Sequence, residues 1–246
     1  MPEQPPKRES LILNLLFNLI LPILILTKLS PLVEKKLGEN VIDPTAILIV
    51  ALGFPLGYGI YDYIVRRIFN VLSILGFSHV LATGVIGILE LDGIWIAVKE
   101  AAFPALIGIC IFGSMRSSNP LVKLFLYNDQ ILNVARIEQE LAARNNREAF
   151  ERLLNVSTYI LVASFALSAI LNFVLAKAIV TSPGGTQEFN EQIGKMTGLS
   201  WIVIVVPTMI LMVIALWRLL SGTMRLTGLE FEALVHGAEP EKSEKQ

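Results

Sequence analysis

His79, Lys99 and Glu100 are the residues of this chain whose types and surroundings most invite chemistry, because each lies inside an apolar run. An ammonium or a carboxylate in hydrocarbon is costly, so it marks a ligand or ion pathway unless it snorkels to the membrane surface. Lys99 and Glu100 are consecutive, hence about 100° apart on a helix, and the spacing predicts no good pair between them. Glu90 and Asp92 are the candidate partners for Lys99 instead. His79 titrates near neutral pH in its free form, with Thr83 one helical turn away. It is a candidate for proton transfer or a packed structural histidine. Asn14 and Asn18 stand at i,i+4, either facing a substrate or bonding a neighbouring helix. Asp62 precedes Arg66 by four residues, the helical ion-pair spacing, and reads as an interfacial anchor or a proton relay.

These residues need apolar helices to hold them. Of the 246 residues, 54% are hydrophobic and 17% charged, below the ~25% charge of a soluble domain. Six apolar runs, at about residues 11–29, 44–64, 68–89, 94–113, 156–180 and 199–220, are each near the ~20 residues that cross hydrocarbon. Lys7 and Arg8 precede the first run in the manner of a signal peptide, but no small-x-small cleavage site follows, so it reads as a retained span. All ten arginines, from Arg8 to Arg225, fall in alternate gaps or at the ends. Because inner loops collect Arg and Lys, that alternation places both termini inside. The spacing therefore predicts an all-α polytopic membrane helix bundle of six transmembrane helices, with residues 1–10 and 226–246 as cytoplasmic tails.

The longest polar segment, about 114–155, holds Arg116, Arg136, Arg144, Arg147 and Arg152, half of the arginines. Val134, Ile137 and Leu141 recur at helical spacing within it. It reads as an amphipathic cytoplasmic elbow between helices 4 and 5, lying on the membrane face or folded away from it. Arg136, Arg144, Arg147 and Arg152 are its candidate contacts to lipid headgroups or a protein partner. A Gly-rich phosphate loop, a His-Glu-x-x-His and a Gly-x-Ser-x-Gly are all lacking in the sequence. With Cys110 the only cysteine, and two histidines, no metal site or cofactor is expected, and no enzyme. No basic tract has the density of a nucleic-acid site.

The run "LILNLLFNLILP", then "DPTAILIVALGFPLGYGIYDYIVRR" and "VKEAAFPALIGICIFGSMRSSNPLVKLFLYN", resembles the bacterial six-span proteins termed intracellular septation protein A-like, over about residues 11–225. The resemblance implies a bacterial inner-membrane protein of the cell envelope, linked to envelope synthesis and division machinery. Two functions follow as expectations. One is a non-enzymatic interaction or scaffold protein with membrane-protein partners. The alternative is a small dimeric secondary transporter or channel using Asn14, Asn18, His79, Lys99 and Glu100.

Overall fold

A computed structural model describes residues 13, 16–29, 32–33, 36, 43–66, 71–117, 120–129 and 132–235. Among these the chain is helical throughout, with one isolated antiparallel bridge between Leu132 and Val235. The long helices are α1 (Leu16–Leu29), α2 (Pro44–Arg66), α3 (Val71–Ile88) and α4 (Ile94–Ser114). Next come the short α5 (Val122–Phe125), α6 (Val134–Ala143), α7 (Arg147–Ile179), α8 (Gln187–Thr227) and the short α9 (Phe231–Leu234). Four of them, α2, α4, α7 and α8, are long and apolar enough to cross a membrane, which suits a multi-pass membrane protein. Described parts of α1 and α3 form shorter apolar helices, Leu16–Leu29 and Ser78–Ile88.

Two helices are longer than the apolar runs that announce them. At 1.5 Å per residue, the 33 residues of α7 and 41 of α8 extend about 50 and 60 Å, well beyond a hydrocarbon layer of about 30 Å. The excess is polar. Helix α7 begins at Arg147, ahead of the apolar run expected from 156. Helix α8 begins at Gln187, within what reads as an outer loop, where Thr186 caps it by accepting from the Phe189 amide at 3.2 Å. Two of the in-helix prolines coincide with π-helical turns. Pro22 lies between Leu16–Ile20 and Ile25–Leu29, and Pro207 follows Trp201–Val205. A proline lacks the amide for its i−4 carbonyl and crowds it, and a wider turn relieves that crowding.

The residues form two compact units. The first comprises Met1–Phe103 and Ala169–Val205. Its core packs Leu48 and Ala51 of α2, Ile86 of α3, Ile96 and Ala97 of α4, and Phe189 and Ile193 of α8. Asn190, almost wholly buried, donates from Nδ2 to the Pro44 carbonyl at 2.7 Å and ties α8 to the start of α2. The turn between α3 and α4 fits closely. A Cβ at Gly93 would collide with the Val180 carbonyl, which is backbone and cannot swing away. Gly93→Ala is therefore expected to lower the melting temperature in detergent more than Gly113→Ala, where a Cβ meets open space.

The second unit comprises Pro104–Ser168 and Val206–Gln246. Here the polar segment folds on a core of its own. Ile137 and Leu141, the apolar stripe of α6, are fully buried with Leu132, Phe150, Leu154, Leu219 and Leu234. Of the two placements open to the elbow, lying on lipid by its apolar face is excluded for α6, because protein already covers that face. The start of the expected C-terminal tail supplies part of the cover. Gly228, at φ +68°, ends α8 by donating to the Met224 carbonyl at 2.8 Å, and the chain returns to bury Leu234. The Asn133 amide then bonds the Leu234 carbonyl at 2.8 Å. Asn133 caps α6 through the Arg136 amide, and Asn146 Nδ2 reaches the Leu226 carbonyl at 2.8 Å.

Candidate functional site

His79, Lys99 and Glu100 converge on one cluster in the first unit. Backbone bonds from Leu91 to Ile86 and from Glu90 to Gly87 close a short turn that sets α3 and α4 antiparallel. Thr83 and Lys99 then lie eight residues to either side of Leu91, and His79 and Phe103 twelve. Lys99 Nζ stands 2.7 Å from Thr83 Oγ1, 2.7 Å from Glu100 Oε1 and 3.1 Å from His79 Nε2. An ammonium has three N–H donors, and here it has three acceptors when His79 is neutral and protonated on Nδ1. The Thr83 hydroxyl donates to the His79 carbonyl at 3.1 Å, leaving its lone pairs for Lys99. Phe103 closes the cluster, edge-on to the His79 ring at 4.9 Å between centroids.

One sequence expectation is corrected here, and one of the two alternatives left for Lys99 is removed. Lys99 and Glu100 do pair with each other, because two long side chains flex across the 100° that separates their Cα positions. Lys99 also does not snorkel outward. Its side chain is 7% exposed, Glu100 14% and His79 35%, so the charges are inside and the imidazole forms the accessible edge. His79 Nε2 lies 3.1 Å from Lys99 Nζ and 3.4 Å from Glu100 Oε1, so one ring nitrogen faces both charged groups. The acceptor role of Thr83 is the part that sequence reasoning missed, although its equal distance from the turn is a readable signal.

Asn18 is exposed on α1, and no described contact joins it to the cluster. Asn14 lies outside the described residues, as do the side chains of Asp62 and Arg66. Arg136, Arg144, Arg147 and Arg152 are all exposed on the second unit. Arg144 pairs with Glu140 and Arg147 with Glu138, each at 3.3 Å. Among the described residues no group of His, Cys, Asp and Glu is placed to hold a metal ion.

The second unit also contains a cavity of about 490 Å³, which sequence reasoning did not foresee. Arg116, Lys123, Tyr127, Glu138, Arg147 and Glu151 supply much of its polar lining, with Ser117 and Asn155. Tyr127 is buried against Phe150, and its hydroxyl points to Glu138 Oε1 at 3.5 Å. Burial, and then the Glu138 carboxylate, push the Tyr127 phenol well above its ordinary value of 10.0. The folded chain thus holds that proton where the unfolded chain releases it. The resulting stability is fully present below about pH 10 and declines as pH rises toward the folded value. Melting temperatures measured from pH 8 to 11 should fall on the alkaline side, and Tyr127→Phe should flatten that fall. A fall of equal size in both proteins would contradict the assignment.

No family model, curated protein or solved structure matches this chain.

Proposed function

We propose that this chain is a multi-pass protein of the bacterial inner membrane that acts by interaction rather than catalysis. It has six spans, both termini in the cytoplasm, and a folded polar segment offered to membrane-protein partners of the envelope or division machinery. The proposed family is that of the septation protein A-like proteins. One-sided arginines support the orientation. The observation that carries the functional reading is the core of the second unit. Ile137 and Leu141 face inward, which leaves Arg136, Arg144, Glu148 and Arg152 on a preformed charged surface. Such a surface binds without the ordering cost of a disordered segment.

Affinity purification from membranes tests this reading. Wild type should recover a defined membrane protein that Arg136→Glu/Arg152→Glu loses while remaining in the membrane at the same level. Equal recovery would remove the charged surface from the account.

A second reading, a small dimeric secondary transporter, rests on the buried Lys99–Glu100–His79 cluster. Such a cluster has the makings of a proton relay. Proteoliposomes under a pH gradient test it. Proton flux in the wild type that Lys99→Ala abolishes supports transport, and equal flux in both rejects it.

A further inference from the structure

The cavity of the second unit is built for a ligand of definite chemistry. It opens just past the ends of two apolar stretches. Met115 follows the last residue of α4, and Phe150, Glu151, Leu154 and Asn155 lie on the polar start of α7. That is where a helix leaving hydrocarbon meets headgroups. Three cations, Arg116, Lys123 and Arg147, face two carboxylates, Glu138 and Glu151. Glu138 is already engaged through both oxygens, by the Tyr127 hydroxyl and by Arg147 Nη2 at 3.3 Å. Its charge and that of Arg147 offset each other, which leaves Arg116 and Lys123 against Glu151. Arg116 and Lys123 are exposed and have no described partner. The rest of the lining is mixed: Ser117 and Asn155 are polar, and Met115, Pro120 and the buried Phe150 and Leu154 are apolar. Cations with apolar side chains in the same lining suit an anion that carries some apolar surface.

We propose that this cavity binds a phosphate-bearing anion through Arg116 and Lys123, beside the Arg147–Glu138 pair, and that an anionic phospholipid headgroup is its source. Guanidinium and ammonium groups bind phosphate oxygens by charge-assisted hydrogen bonds. Met115, Phe150 and Leu154 take the glycerol and first methylenes of the lipid. The site stands whether or not a protein partner docks on the neighbouring surface.

The test uses the full chain in neutral detergent, with phosphatidylglycerol, phosphatidylcholine and inorganic phosphate as separate probes in native mass spectrometry. Phosphatidylglycerol should bind in preference to phosphatidylcholine. Arg116→Gln/Lys123→Gln should weaken it by about tenfold or more, the loss of one charge-assisted hydrogen bond or more. Arg225→Gln removes an exposed arginine outside the lining and should leave binding unchanged. Glu151→Gln removes a lining carboxylate and should tighten binding, a gain that misfolding cannot imitate. If phosphate alone binds with the same dependence on Arg116 and Lys123 and displaces the lipid, the site holds but its source is the free anion. Equal weakening in Arg116→Gln/Lys123→Gln and Arg225→Gln would overturn the proposal. So would binding that ignores headgroup charge with no phosphate bound.

Discussion

Lys99→Ala should destabilise the protein by about 3 to 5 kcal/mol, the cost of removing one partner from a buried ion pair. The effect has little to do with the attraction lost. It comes from the Glu100 carboxylate, 14% exposed, which is left without the cation that sits 2.7 Å away. Thr83 and His79 lose a donor as well. Replacing both members tells the two contributions apart. Lys99→Met/Glu100→Met removes the charges together while keeping volume, and should recover most of the loss, since an apolar pair of similar size is often as stable. Thermal unfolding in detergent across wild type, Lys99→Met, Glu100→Met and the double variant gives the coupling directly. Additive single losses would mean that Lys99 and Glu100 are independently solvated, contrary to the geometry.

Leu141→Ala should cost about 2 to 5 kcal/mol, because Leu141 is fully buried and the space it leaves is fenced by α6 and α8. The loss should be local in its consequences. Amides of α6, and those of residues 229–235 that cover it, should exchange faster together, since Leu234 shares that core. The long apolar helices should keep their protection. If α6 were instead held by lipid, wild-type protection would depend on the bilayer, and exchange in detergent would already be fast.

The expected helices and the described ones agree best where apolar composition is dense. Helices α2 and α4 have ends close to the expected 44–64 and 94–113, because the hydropathy run and the helix coincide there. They part where a helix continues into polar sequence. No long apolar run marks the start of α7 at Arg147, only the patch of Phe150, Leu153 and Leu154, and the cap at Thr186 announces α8 at Gln187. The cluster was legible as separate residues, since a charge in an apolar run is conspicuous. Its assembly was harder to read. Helical angles argue against a Lys99–Glu100 pair, and the flexibility of both side chains overrides them. The covered face of α6 was illegible for another reason. Its cover comes from Leu234, remote in sequence and inside a segment that reads as a tail.

The central claim is that the chain acts through the charged face of its folded polar segment. Photocrosslinking in intact cells tests it most directly. A photoreactive residue is placed at Gln139 or Glu148, both exposed on that segment, and in a parallel strain at Ile109, exposed on apolar α4. The expected result is one defined protein adduct from positions 139 and 148, lost with Arg136→Glu/Arg152→Glu, and none from 109. Adducts confined to position 109, or unaffected by the charge reversal, would contradict the account and move the interaction into the apolar helices.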